Sequence, residues 1–229
     1  MDLHVPKRLI AAVFACMMAM PLAAETPRDM LMEASFQDAD KASVMRKVSA
    51  AHDAATRRLR HDAGDREAAL MQATALGYQA KLTGSRAGAI AARKAMERLV
   101  AVAPGDAERH LALGAWHMGA VHKLGGMIAR AALGGSRKAG LSCLDRAVAL
   151  GGDRARYPGL AALLRLQLDP EDARGRQLAE AAVRAAAPSA MDRHLQRAAS
   201  AILAPLRAGD GAAVRRLAAR LLPMGKLGE

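Results

Sequence analysis

The sequence predicts an all-α protein of about nine helices joined by tight turns, on three observations. Apolar residues recur at helical spacing along most of the chain, and no stretch alternates apolar and polar as a half-buried strand does. Gly, Pro and short polar clusters interrupt that period at intervals suited to single helices. Aromatic residues make up only 2% of the 229 residues, so Ala, Leu, Val and Met must supply the core. Such a composition favours closely packed helices over sheets.

Residues 1–24 read as a secretory signal peptide. Lys7 and Arg8 precede the uncharged run from Leu9 to Ala24, with Pro21 late in it and small residues at its end. The run is sixteen residues long, short of the roughly 20 that a transmembrane helix needs, and no span is expected in the mature chain, where Lys123 and Arg130 interrupt the apolar residues around the Gly-rich stretch. The expected address is the periplasm. An uncleaved N-terminal anchor is the second reading, and a lipoprotein acylated at Cys16 the third. If Cys16 leaves with the signal, Cys143 is the sole cysteine and no intrachain disulfide can form. Between Leu141 and Leu144, Cys143 reads as a small buried hydrophobe.

Residues 25–38 read as a polar leader, residues 39–223 as the helical domain and residues 224–229 as a tail. Val44, Val48, Ala51, Ala55 and Leu59 mark one face of the first helix. A second helix is expected from about Arg66 to Leu82, and Ser85 is placed to cap a third through Val102. Pro104 and Gly105 stop that helix, and Asp106 caps the next. Gly125-Gly126 kinks or ends that one, Gly134-Gly135 ends a further short piece, and Ser136 caps the helix after it. Gly151-Gly152 closes that helix, and Pro158 suits the first turn of its successor. Asp169 is expected as an N-cap with Pro170 as first helical residue, and Pro188 as the stop. Ser189 with Asp192 resembles a capping box, and residues 208–211 and Pro223 bracket the final helix.

The helix pairs also repeat. Ala-Leu-Gly occurs at 75–77 and 112–114, each inside a first helix, and two second helices end alike at Ala-Pro. These residues resemble the tetratricopeptide repeat. Leu76-Gly77 and Leu113-Gly114 match its Leu-Gly pair. Ala92, Met96 and Leu99 fall at its second-helix packing positions, as do Gly140, Leu144 and Ala147, and Gly175, Ala179 and Val183. The resemblance implies a right-handed α-solenoid of antiparallel helix pairs that binds partners on its concave face. Leu99 and Val183 are larger than the family's usual Ala, and most of its aromatic positions hold Ala, His or Met here. Between Gly114 and Gly140 the chain has about 14 residues more than one repeat allows. The insert, at about 118–135, resembles the long-insert variants of the regulator of microtubule dynamics family and of periplasmic transporter-associated repeat proteins.

No catalytic motif emerges. The Gly-rich stretch 124–140 lacks the Lys of a phosphate loop and follows no strand. Asp106, His110 and His117 share one helix face, but their spacing is not a recurring metal pair, and His122 points about 140° away. No nucleophile motif surrounds any Ser or Cys143. The chain is therefore expected not to be an enzyme and to need no cofactor or metal.

Charge suggests a different class of partner. The net charge is +12, and Arg outnumbers Lys by 26 to 8. Residues 154–220 alone hold twelve Arg and six acidic residues, read as solvated outer helix faces with an anionic polymer or lipid surface as a secondary partner. Nucleic acid is not expected, because five aromatic residues in the whole chain build no stacking platform. The favoured reading is a non-catalytic secreted scaffold for a protein or peptide partner. The other is a small-molecule pocket near an extended helix over 107–133. Trp116, His117, Lys123, Met127 and Arg130 are the candidate contact residues.

Overall fold

Helix starts follow the side chains that can hydrogen-bond to them. The computed structural model describes residues 25–227, with eleven α-helices and no strand among them. These are α1 Pro27–Phe36, α2 Lys41–His61, α3 Arg66–Thr83, α4 Arg86–Val102, α5 Ala107–Leu124, α6 Gly126–Leu133, α7 Arg137–Leu150, α8 Arg156–Leu168, α9 Ala173–Arg184, α10 Ala190–Arg207 and α11 Gly211–Leu221. All but α6 and α8 begin at a Ser, Thr or Asp whose side chain accepts a first-turn N–H. That bond replaces the missing intrahelical acceptor of a first turn, which makes helix starts a local property. Ser85, Asp106 and Ser136 cap as their context predicts, and Ser189 and Asp192 form a reciprocal capping box. The signal segment 1–24, Cys16 included, and residues 228–229 of the tail lie outside the described residues.

Three expectations change. The leader 25–38 is not merely polar: it holds α1, with Pro27 at the first helical position and a Thr26–Asp29 capping box. Asp169 is the C-cap of α8 rather than an N-cap. Asp172 starts α9 by accepting the Gly175 N–H at 2.8 Å, and Pro170 occupies the 169–172 turn that Asp172 N–H closes onto the Asp169 carbonyl. Among the described residues helices number eleven rather than about nine, because α1 forms in the leader and α6 is separate from α5. Gly125 at φ 77° and Gly134 at φ 71° stop helices at either end of α6, a backbone region that residues with a Cβ rarely enter.

Beside a small cluster of Ala73, Met96 and Leu113 on α3, α4 and α5, two larger apolar clusters form the core among the described residues. One joins α1, α2 and α3 through Leu31, Ala34, Val44, Val48, Ala51, Ala55 and Met71. The other gathers α5 and α7–α11 around α8, whose Ala161, Ala162, Leu163 and Leu166 are fully buried. With so few aromatics, helices must approach closely to fill space. At Gly114 a Cβ would stand 2.9 Å from Leu144 Cδ2, and at Gly140 one would stand 2.9 Å from Met118 Sδ. These two glycines let α5 and α7 interlock.

The arginines do not all face water. Arg165 is buried in α8 and pairs with Asp145 of α7 at 2.7 Å and Asp172 at 3.2 Å. Arg156 is buried as well, so two of the arginines expected on outer faces instead turn inward, where carboxylates meet them. The ends of the described chain also meet. Met224 donates its backbone N–H to the Ser35 carbonyl at 2.7 Å, and the Phe36 ring lies 4.2 Å from that of His194 in α10.

Candidate binding site

Five helices begin around one cavity. It has a volume of about 420 Å³ and is lined by Arg28, Asp29 and Met32 of α1, Glu67 of α3, Glu108 of α5, Arg154 and Arg156 at the start of α8, and Ser189, Ala190 and Met191 at the start of α10. Glu67 and Glu108 are each the second residue of their helix, and Arg156 is the first of its own. Acidic residues in a first turn offset the positive end of the helix dipole. Here that local preference lifts carboxylates to the cavity rim, where the arginines answer them.

The charges form one connected network. The Arg28 guanidinium grips Glu67 with two bonds, Nε to Oε1 at 2.5 Å and Nη2 to Oε2 at 2.7 Å, and its Nη1 donates to Glu108. Burial works to lower the Arg28 pKa, but both carboxylates outweigh it and hold the cation above its ordinary value. Arg156 Nη1 reaches the same Glu108 oxygen at 3.3 Å. Beneath it lies Asp192, fully buried. Its Oδ2 accepts from Arg154 Nη2 at 2.5 Å and from the Ser189 hydroxyl at 2.6 Å, and its Oδ1 accepts the Arg156 backbone N–H at 3.2 Å. Burial would raise the Asp192 pKa, yet these donors prevail and hold it below the usual carboxylate value. Arg154 and Arg156 each leave a buried Nε without a hydrogen-bond partner.

The residues singled out around the extended helix are not assembled into one site. Trp116 and His117 meet edge to face at 5.2 Å, but both are engaged in packing. The Trp116 ring is half-buried beside Gly77, and His117 is buried with its Nδ1 accepting the Ser136 N–H at 3.3 Å. Burial pushes the His117 pKa down, Glu97 opposes this and Arg93 adds to it. Lys123, Met127 and Arg130 are exposed on the far end of α5 and on α6. None of the five lines the cavity at Arg28 and Glu108.

Other candidate chemistry resolves into structure. Asp106 accepts the N–H groups of Glu108 and Arg109, and His110 Nε2 donates to the Pro104 carbonyl at 2.9 Å. Among the described residues no cluster of three or more His, Cys, Asp or Glu is placed to hold a metal. Cys143 is half-buried, and burial followed by Glu97 pushes its thiol pKa up, away from thiolate reactivity. No described helix is long and apolar enough to cross a membrane.

One local signal anticipates the cavity. Gly-Asp-x-Glu occurs at 64–67 and again at 105–108, so Glu67 and Glu108 stand at the same register of two first helices. Two helices that run alongside each other bring such matched positions to the same edge. The chain is thus an all-α protein whose helix starts converge on a charged cavity. Compared with protein-family models, curated proteins and solved structures, it matches none.

Proposed function

We propose that this chain is a secreted, non-catalytic binding protein with a tetratricopeptide-like arrangement of helix pairs, and that it takes a protein or peptide segment at the Arg28–Glu108 cavity. The convergence of the first turns of α1, α3, α5, α8 and α10 carries the reading. In a solenoid of helix pairs the first helices share a direction, so their starts share an edge and the surface beside it. The pairing of α3 with α4, α5 with α7 and α8 with α9, and the contacts of α8 with α5 and α10, support this reading. Three guanidiniums, three carboxylates and the thioethers of Met32 and Met191 suit a polar peptide that exchanges charge pairs with the rim.

The test places a photo-crosslinking side chain at Met191 in the cavity and, separately, at exposed Ala201 of the same helix. A peptide-bearing or protein-sized adduct formed from position 191 and not from 201 is the expected result. Equal adducts from both positions, or none from 191, would reject the site. A second reading, a small polar ligand, is favoured by the volume, which lies within the roughly 300–1,000 Å³ of small-molecule sites. That reading predicts an adduct of only a few hundred daltons at position 191, separable by intact mass.

A further inference from the structure

The insert carries a surface that the cavity does not use. On α6, Met127 is 88% exposed and its neighbour Ile128 60% exposed, two of the three exposed large apolar side chains among the described residues. Scattered exposed hydrophobes need no explanation, but two adjacent ones at the tip of an eight-residue helix form a wedge. α4 holds that wedge outward. Arg86 Nε donates to the Ala132 carbonyl at 2.9 Å and Arg93 Nε to the Leu133 carbonyl at 3.0 Å, capping the last turn of α6.

The surroundings are of one sign. No Asp or Glu occurs from residue 109 to residue 144. Lys123 and Arg130 flank the wedge in sequence and are exposed, and exposed Arg86 sits at the other end of α6 on the Ala132 carbonyl. Glu97 of α4 is taken by Arg93 at 2.5 Å. An apolar tip within a basic rim complements a lipid surface whose headgroups are negative and whose acyl region begins just beneath them. A purely polar acidic partner would answer the rim and leave the tip in water.

We propose that α6 is a peripheral docking element for an anionic phospholipid surface, with Met127 and Ile128 entering the headgroup–acyl boundary and Lys123 and Arg130 pairing with headgroup phosphates. α6 is far too short to span, so the docked protein lies on the membrane with the cavity side in water. This does not rest on the reading of the cavity.

The experiment is vesicle flotation of the full-length chain on phosphatidylcholine alone and on phosphatidylcholine mixed with phosphatidylglycerol. Parent and variants carry the same residues 1–24, so the change in the ratio of the two affinities on substitution reads the docking element. The ratio is expected to exceed about tenfold at low salt and to fall steeply as salt rises. Met127→Ser with Ile128→Ser should reduce anionic binding about tenfold. Lys123→Gln with Arg130→Gln should cost about fivefold per charge and flatten the salt dependence. Val102→Ser, at an exposed apolar residue outside the patch, should change nothing. All these side chains are exposed, and circular dichroism checks that the fold survives. Absence of an anionic preference overturns the proposal. So does binding unaffected by the Met127/Ile128 pair, or a dimer that this pair abolishes with no vesicle binding.

Discussion

Arg28 of α1 and Glu108 of α5, eighty positions apart, are joined by a direct ion pair at the mouth of the cavity. Glu67 and Arg156 extend it on either side, so α1 is tied to α3 and α5 through charge as well as through Leu31 and Ala34. Arg28→Ala should therefore loosen α1 more than the whole fold. Because the pairs are partly exposed, the global loss should be only about 1 kcal/mol. Hydrogen exchange over residues 27–36 should accelerate well beyond the change elsewhere, and unchanged α1 protection would contradict the role given to Arg28.

Asp192 is the least dispensable charge in the site. It is fully buried, caps α10 and answers Arg154 and the backbone of Arg156. Asp192→Ala leaves those donors without an acceptor and should cost about 3 kcal/mol in urea unfolding. Its folded pKa lies below the unfolded value, so its contribution is complete above about pH 4 and fades as pH falls through the folded value. Asp192→Asn should flatten the acid limb of stability. An acid limb as steep as that of the parent would argue that other carboxylates dominate it.

Mild acid should weaken the fold through histidine. His117 and His194 are both pushed below the ordinary imidazole value, His117 by burial and Arg93 against Glu97, and His194 by burial with Arg197 and Lys226. The unfolded chain then takes up protons first, so stability is full above about pH 6.5 and declines as pH drops below it. Protonating His117 Nδ1 also removes the acceptor for the Ser136 N–H. His117→Asn, whose side-chain oxygen can take that bond, should reduce the decline in a urea titration repeated across this range.

Two glycines of α5 should respond in opposite directions to the same change. Gly114→Ala forces a methyl to within 3.1 Å of the Leu144 backbone nitrogen and should cost about 2 kcal/mol. At Gly119 an added methyl would meet nothing within 4 Å, and the residue lies exposed in the helix interior. Gly119→Ala should stabilise by about 1 kcal/mol, since alanine loses less backbone entropy on folding. Thermal melts of the two variants decide it, and a matching sign for both would refute the close packing of α5 on α7.

By itself the sequence determined the helical class and most helix boundaries, because those depend on neighbours within a turn. Ser85, Asp106, Ser136 and Ser189 bond to N–H groups two or three residues ahead, and Gly125 and Gly134 stop helices by their own backbone. Even α1 was legible in Thr26-Pro27-Arg28-Asp29, a capping box with Pro at the first helical position, although the segment's polarity masks it. Asp169 and Asp172 offer the same cap chemistry three residues apart, and only the turn around Pro170 separates their roles. The site was a different matter. Arg28, Glu67, Glu108, Arg156 and Met191 are spread along five helices, and each alone looks like a solvated helix end. Trp116, His117, Lys123, Met127 and Arg130 are close in sequence, yet the fold turns His117 inward and Met127 outward. Helix formation is settled by hydrogen bonds within a few residues. Which helix starts meet is settled by how apolar faces pack over the whole chain, and only the tertiary structure decides that.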